Sequence, residues 1–213
     1  MQVRFQHSTH CYAVQAILFD LDGTLVESTG SIGQILQNWA EQNALDVSKV
    51  IAFSHGKRSI DIVRAFIQAS EVDAQYQQLT AQFVQVADQA QAVNGAFDIL
   101  NVLNSKQIPW ALVSSSERIL IEARLKASGL PMPNVVVAAE DIQQGKPSPE
   151  GYLKAAQQLD IPIEACLVFE DAAAGVEAAF KAGAKCVGVG SAMQACTDVF
   201  IENYHQILIE HDS

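Results

Sequence analysis

The stretch that decides the fold is AILFDLDGTL, residues 16–25. Its first four residues are a continuous apolar run, which is typical of a strand covered by helices on both faces. Two acids, Asp20 and Asp22, follow directly, and a glycine and a threonine come after them. Two carboxylates at the end of a buried strand are unfavourable unless other groups pair with them. The rest of the chain is therefore expected to supply such a partner.

Four more short apolar runs are also continuous rather than alternating: WALV at 110–113, VVVAA at 135–139, CLVF at 166–169 and CVGVG at 186–190. Helical patterns such as PEGYLKAAQQL and DAAAGVEAAFKAG lie between the later runs. Strands that alternate with helices predict a parallel sheet with helices on both faces. The predicted fold class is α/β, a doubly wound, Rossmann-like parallel sheet.

The segment between the first two strands is longer than a crossover requires. One helix suffices for a crossover, and residues 95–107 supply it. The surplus at 28–92 carries apolar residues at helical spacing in three stripes, which begin at Ile32, Ile60 and Tyr76. We predict an inserted α-helical cap at 28–92 and a core formed by 14–27 plus 93–213. Because the insertion follows the first strand, we expect it above the sheet edge where open parallel sheets bind ligands.

Composition narrows the classes of partner. The 213 residues carry a formal net charge of −11, which argues against nucleic acid, since phosphate backbones are bound by clustered Lys and Arg. No apolar run approaches a membrane span, and the first 14 residues lack the apolar region of a secretory signal. The four cysteines show no CxxC spacing, which favours a reducing compartment. We expect a cytoplasmic protein, and a monomer, because no long apolar helix demands a partner.

Polar side chains that could carry chemistry follow the predicted strands: Asp20 and Asp22 the first, serines 114–116 the second, Lys146 the third, Glu170 and Asp171 the fourth. These strand ends share one edge of a parallel sheet, so we expect the side chains to converge. Four carboxylates would repel one another unless a divalent cation joined them, and an oxygen-only donor set favours Mg²⁺. Lys146 and Ser114 would suit a phosphoryl group.

Each of these pieces alone has an ordinary explanation. Two acids spaced by one residue are more often a turn or a helix cap, a serine after a strand is often an N-cap, and a single lysine is usually solvated. Their common position at successive strand ends favours a functional site over chance.

These residues also carry a resemblance to a known family. DLDGTL, the serines of LVSSS, GKPSPE and VFEDAAAG resemble the four motifs of the haloacid-dehalogenase-like hydrolase superfamily, in its members with a helical cap. The resemblance covers the chain from residue 14 to residue 190. Within the superfamily, SHGKRSIDIV at 54–63 and VFEDAAAGVEAA are similar to small bacterial and yeast phosphatases of sugar and polyol phosphates.

The resemblance implies a role for each motif residue. Asp20 would attack phosphorus and form an aspartyl phosphate, and Asp22 would act as general acid and then as general base. Ser114 and Lys146 would bind the phosphoryl oxygens, with Ser115 as a further substrate contact. The implied Mg²⁺ ligands are the Asp20 carboxylate, the Asp22 main-chain oxygen, Asp171, and Glu170 either directly or through water.

Departures from related families refine the expected reaction. Haloacid dehalogenases lack the second acid of the first motif, so Asp22 argues for phosphate chemistry. The β-phosphoglucomutases carry a histidine ten residues after that acid, where this chain has Ile32. We expect a Mg²⁺-dependent phosphatase of small phosphorylated metabolites, most simply sugar phosphates. A phosphosugar mutase and a non-catalytic binding module are the alternatives.

The cap contributes one cluster of basic residues. His55, Lys57 and Arg58 surround Gly56 just before the second stripe of the cap. Three basic residues at a helix N-terminus oppose the helix dipole, so they are either surface charge without a task or a functional group. We predict that they contact the phosphate or the sugar hydroxyls when the cap closes.

Overall fold

The computed structural model describes residues 1–6 and 8–210. Its strands, in chain order, are β1 (Gln2–Phe5), β2 (Cys11–Ala13), β3 (Ala16–Phe19), β4 (Val26–Glu27), β5 (Gln91–Ala92), β6 (Trp110–Val113), β7 (Val135–Val137), β8 (Cys166–Glu170), β9 (Lys185–Val189), β10 (Phe200–Ile201) and β11 (Ile207–Glu210). Its α-helices are α1 (Thr29–Gln42), α2 (Val47–Ser54), α3 (Ser59–Phe66), α4 (Val72–Val86), α5 (Ala96–Ser105), α6 (Arg118–Ser128), α7 (Glu150–Leu159) and α8 (Ala173–Ala182).

Six of the strands form a parallel sheet in the order β10-β9-β8-β3-β6-β7. In the centre, Phe19 of β3 lies beside Leu112 of β6 and Phe169 of β8. The chain runs outward from β3 to β7 and then returns to β8 on the other side of β3. The carboxyl ends of β3 and its two neighbours therefore lie at the point where the strand order reverses, the usual ligand site of this architecture. The predicted α/β class is confirmed.

Side chains of β3 alternate between two hydrophobic layers. Ile17 and Phe19 belong to a cluster on one face of the sheet, whereas Ala16 and Leu18 belong to a cluster on the other face. Because both layers exclude water, every residue of β3 is apolar and fully buried. The first polar position after the strand, Asp20, is therefore held at the edge of a rigid sheet.

The cap segment, residues 28–92, contains α1 to α4 and a hydrophobic cluster of its own. Trp39, Val50, Val63 and Leu79 are fully buried there. Leu120 of α6 packs into the same cluster and joins the cap segment to the sheet domain. The two connections to the cap pair as the short antiparallel strands β4 and β5. The predicted domain boundaries stay a prediction, and this separate cluster is consistent with them.

Two of the three strands of a second sheet, β1 and β2, precede residue 14, where the predicted core begins. β1 pairs antiparallel with β11 on one side and β2 on the other. Val3 and Phe5 are buried in the same cluster as Ile17, so this sheet extends the main hydrophobic core. The buried-exposed alternation of QVRF, residues 2–5, is the local signal for such a strand.

Two predicted strand ends differ from the structure. The third run was expected at 135–139, but β7 ends at Val137 and a 3₁₀ turn, Ala139–Asp141, follows it. The fourth run was expected to end before Glu170, but Glu170 is the last residue of β8 and is buried. A carboxylate is tolerated at this buried position of the strand because protein groups donate hydrogen bonds to it, as described below. Among the described residues, none of the helices combines the length and the hydropathy needed to cross a bilayer.

Candidate active site

A buried lysine links two of the acids at the sheet edge. The Lys146 ammonium donates to Asp20 Oδ1 at 2.6 Å and also to Glu170 Oε1. Lys146 is only 5% exposed, and both of its carboxylate partners are buried. Burial lowers the pKa of Lys146, but Asp20 and Glu170 outweigh this effect and raise it above its ordinary value. The lysine is therefore a permanent cation beside Asp20.

Glu170 is enclosed by protein groups. Its Oε1 accepts a hydrogen bond from the Tyr152 hydroxyl at 2.8 Å, and its Oε2 accepts one from the Ala172 main-chain N–H at 3.1 Å. A Cβ atom at Gly175 would lie 1.7 Å from Oε1, so only glycine leaves space for the carboxylate. Protein groups therefore hold both oxygens of Glu170, with two donors on Oε1 and one on Oε2.

Asp20, Glu170 and Asp171 form a cluster in which one oxygen of each lies within 4.8 Å of the others. Burial raises the pKa of Asp171 to about 7, Glu170 adds to the rise, and Lys146 opposes it. Burial likewise raises the pKa of Asp20 well above its ordinary range, although Lys146 opposes this. The single positive charge of Lys146 therefore does not balance the negative charge of these three carboxylates. A divalent cation with oxygen ligands fits the donor set.

Gly23 allows Asp171 to reach this cluster. Its φ of +85° lies in the left-handed region, and a Cβ atom there would meet Asp171 Oδ2 at 2.0 Å. The glycine of the first motif thus serves both the turn after Asp22 and the space that Asp171 occupies.

The Asp22 carboxylate is held by three side chains. Ser28 Oγ donates to Oδ1, while Ser116 Oγ and Arg124 Nη1 donate to Oδ2 at 2.8 and 2.7 Å. Sequence reasoning missed Ser28 and Arg124. Arg124 did have a local signal, because it falls on the face of α6 whose other buried side chains are apolar: Leu120, Ile121 and Leu125.

The serines after β6 have separate positions. Ser114 is buried, and its Oγ accepts a hydrogen bond from the main-chain N–H of Ser116 at 3.1 Å. Ser115 Oγ donates to the main-chain oxygen of Gly56, at 2.8 Å, and so contacts the cap segment. Both serines line the cavity described next.

A cavity of about 790 Å³ separates the cap segment from the sheet edge. Ile32, Leu36, Phe53 and Phe83 give its cap side an apolar surface. Most of the predicted site residues line it: Asp20, Asp22, His55, Lys57, Ser114, Ser115, Glu170 and Asp171. Lys146 is joined to this set through its contact with Asp20.

The structure does not bring Arg58 to the cavity lining. Its guanidinium donates to both oxygens of Asp61, at 2.7 and 2.9 Å, and to three main-chain oxygens, those of Ala139, Ile142 and Gln143. These contacts occupy all five of its N–H donors, so none is left for a substrate. The predicted substrate contact of Arg58 is therefore replaced by a link between the cap and the sheet domain. Lys57 does line the cavity, and its Nζ donates to the Lys146 main-chain oxygen at 2.8 Å.

Comparison with known proteins decides the family. The family model of haloacid dehalogenase-like hydrolases matches residues 14–183. The chain belongs to this family. Hexitol phosphatase A of Escherichia coli is 39% identical over 180 residues, which cover 83% of each chain. Glycerol-1-phosphate phosphohydrolase 2 of Saccharomyces cerevisiae is 30% identical, over 92% of this chain and 85% of the yeast protein.

Two solved structures share the fold of this chain. A hydrolase from Pseudomonas syringae superposes with a TM-score of 0.80 at 23% identity, over 90% of this chain and 95% of that one. A β-phosphoglucomutase from Clostridium difficile gives the same TM-score at 20% identity, over 89% and 91% of the two chains. The Escherichia coli and yeast relatives named above are phosphatases by their names, and this hydrolase is a phosphoric monoester hydrolase. The non-catalytic alternative is therefore excluded.

Proposed function

We propose that the protein is a Mg²⁺-dependent phosphatase that hydrolyses small sugar or polyol phosphates through an aspartyl phosphate on Asp20. The observation that carries this proposal is the position of Asp20, a buried carboxylate paired with Lys146 at the base of a cavity. Hexitol phosphatase A and glycerol-1-phosphate phosphohydrolase 2, the relatives named above, act on phosphorylated polyols by their names, which supports this substrate class. A monomeric state and a cytoplasmic location stay predictions.

The first step transfers the phosphoryl group to the enzyme. An oxygen of Asp20 attacks phosphorus, the bond between phosphorus and the leaving oxygen breaks, and Asp22 gives its proton to that oxygen. Lys146 and Ser114 bind the phosphoryl oxygens and offset their negative charge. The free alcohol then leaves the cavity.

The second step restores the enzyme. Asp22, now ionised, takes a proton from a water molecule whose oxygen attacks phosphorus. The bond from phosphorus to Asp20 breaks, inorganic phosphate forms, and Asp20 returns to a carboxylate. One acid with two successive proton-transfer roles thus serves both steps.

Asp20, Asp171 and the Asp22 main-chain oxygen would hold the Mg²⁺ ion, with Glu170 acting through water. When bound, Mg²⁺ neutralises charge on the transferring phosphoryl group. The fit rests on the donor set, which is made of oxygen atoms alone and carries more negative charge than Lys146 balances.

The test is hydrolysis of glucitol 6-phosphate, glycerol 1-phosphate and glucose 6-phosphate, measured as released phosphate with Mg²⁺ and after EDTA treatment. We expect Mg²⁺-dependent turnover that falls by at least about 10³-fold in Asp20→Asn. Asp198→Asn, at an exposed acid of the sheet domain, is the matched control and should keep wild-type activity. Turnover that persists in Asp20→Asn would refute the role of Asp20.

Product analysis separates the phosphatase from the mutase alternative. Ile32 lies in the cavity lining at the position where the mutases carry a histidine, and an alkyl side chain cannot exchange protons. With β-glucose 1-phosphate we expect glucose and inorganic phosphate. Accumulation of glucose 6-phosphate would favour the mutase.

A further inference from the structure

Arg124 is a buried arginine that the proposed chemistry leaves without a role. It lies on α6 and is only 2% exposed. Its Nη1 donates to Asp22 Oδ2 at 2.7 Å and to Ser116 Oγ at 2.8 Å, and Ser116 Oγ donates to the same Oδ2. Arginine, serine and aspartate thus form a closed set of short contacts at the cavity lining.

Packing alone does not account for an arginine at this position. Removal of a guanidinium from water is unfavourable unless its charge and its donors are matched. The other buried side chains of α6 are apolar, so an aliphatic residue would continue the pattern. Within residues 1–6 and 8–210, Asp22 is the one carboxylate that forms an ion pair with Arg124. The buried guanidinium of Arg124 is therefore explained by its contact with the Asp22 carboxylate.

The two carboxylate oxygens of Asp22 accept different numbers of hydrogen bonds. A carboxylate offers about four lone-pair sites, two on each oxygen. Ser116 and Arg124 occupy both sites of Oδ2, whereas Ser28 occupies one site of Oδ1. One site on Oδ1 stays available for proton exchange with a ligand. Bonds to both oxygens also fix the plane of the carboxylate.

We propose that Arg124 is a positioning residue that holds Oδ2 of Asp22 and thereby presents Oδ1 as the oxygen that transfers the proton. The inference rests on the proposed phosphatase chemistry. A general acid must lie within hydrogen-bond reach of the leaving oxygen, and a displacement of about 1 Å can lower a rate by roughly 10²-fold. Without Arg124, the Asp22 side chain loses its charged anchor and samples other rotamers.

The experiment compares two leaving groups in Arg124→Met, which keeps the volume and removes the charge and the donors. Glycerol 1-phosphate releases an alkoxide that needs a proton, whereas p-nitrophenyl phosphate releases a stable phenolate that needs none. We expect kcat/KM for glycerol 1-phosphate to fall about 10²-fold and kcat/KM for p-nitrophenyl phosphate to fall less than about tenfold. Arg124→Lys, which keeps the charge, should recover part of the loss.

Arg118→Met is the matched control, because Arg118 lies on the same helix and pairs with Asp141 away from Asp22. It should leave the ratio of the two kcat/KM values unchanged. In an Asp22→Asn background, Arg124→Met should cause no further loss with glycerol 1-phosphate, because the proton-transferring group is already absent. Equal losses with both esters, or an additional loss in that background, would overturn the inference.

Folding is checked by circular dichroism and thermal unfolding of each variant. If Arg124→Met does not fold, Arg124→Lys and Ser116→Ala are used for the same comparison. Each should lower kcat/KM for glycerol 1-phosphate more than kcat/KM for p-nitrophenyl phosphate. Failure of the phosphatase proposal is distinguishable, because the wild-type protein would then hydrolyse neither ester in a Mg²⁺-dependent way.

Discussion

At the scale of single residues, charge pairing in the buried cluster is uneven. Asp20 and Glu170 share the Lys146 ammonium, and Asp22 has Arg124. Asp171 has no ion pair among the described residues and receives one long hydrogen bond, 3.4 Å, from Thr24. Its pKa of about 7 reflects burial first and the neighbouring Glu170 next. Asp171 is therefore the acid of this group to which a bound cation would give its first charged partner.

This imbalance predicts that Mg²⁺ stabilises the folded protein through Asp171. In EDTA-treated wild-type protein, Mg²⁺ at about 100 times its Kd should raise the free energy of unfolding by about 2.7 kcal/mol, seen as a higher Tm. Asp171→Asn should lose most of this rise, because it removes a charged ligand while keeping the side-chain shape. Asp160→Asn, at the end of α7, is the control and should respond to Mg²⁺ as the wild type does.

At the scale of elements, the start of α6 and helices α3 and α4 meet through polar groups. Glu117 precedes α6 and is buried, with a hydrogen bond from Ser59 Oγ at 3.4 Å and no partner for Oε1 within the described part of the chain. Burial raises the pKa of Glu117, its own main-chain N–H and then the nearby hydroxyl groups of Tyr76 and Ser59 oppose the rise, and Glu140 adds to it.

The raised pKa of Glu117 predicts a pH-dependent contribution to stability. The folded state binds this proton more tightly than the unfolded state, so the contribution is full below the unfolded value of 4.5 and is lost as the pH rises through the folded pKa. Glu117→Gln should therefore gain stability relative to wild type between pH 5 and pH 8, in urea unfolding. Glu122→Gln, exposed on the same helix, should show no such pH-dependent difference.

Arg58 joins α3 to the segment that precedes Lys146. Its loss leaves the Asp61 carboxylate and three main-chain oxygens without their donor. We expect Arg58→Ala to lower the free energy of unfolding by at least about 2 kcal/mol. Arg64→Ala, exposed on the same helix, should stay within about 0.5 kcal/mol of wild type.

The outcome for Arg58 also separates two roles. A link between the cap and the sheet domain predicts a loss of stability and a reduced kcat for every substrate. Direct substrate recognition predicts an increase in KM at unchanged stability, and that result would restore the original prediction for this residue.

At the scale of the whole molecule, the cap segment and the sheet domain share hydrophobic packing. Leu120 of α6 is 1% exposed and lies in the cap cluster, whereas the adjacent Ile119 is 57% exposed. The free energy of burying such a side chain is of the order of 2 kcal/mol. One residue of the sheet domain therefore contributes to the stability of the cap.

This packing predicts unequal effects from two neighbouring substitutions. Leu120→Ala should lower the free energy of unfolding by about 2–5 kcal/mol, because it leaves a cavity between the cap and α6. Ile119→Ala should change it by less than about 0.5 kcal/mol. Urea unfolding followed by tryptophan fluorescence measures both, since Trp39 lies in the cap cluster and Trp110 in the main core. Equal effects of the two substitutions would contradict the shared packing.

The sequence by itself determined the α/β class, the family, and which polar residues follow each central strand. Buried parallel strands require continuous apolar runs, and the motif after each run is contiguous in the chain, so both are readable without coordinates. Asp20, Asp22 and Lys146 were identified in this way.

Only the tertiary structure decided which groups those residues contact. Arg124 lies 102 positions from Asp22, and Arg58 reaches main-chain oxygens more than 80 positions away. β1 likewise pairs with β11 at the opposite end of the chain. Such contacts depend on how helices and strands pack, and a local pattern can show that a residue is buried but not which distant group it contacts. The sequence thus determined the chemical groups of the site, and the tertiary structure decided how each is held.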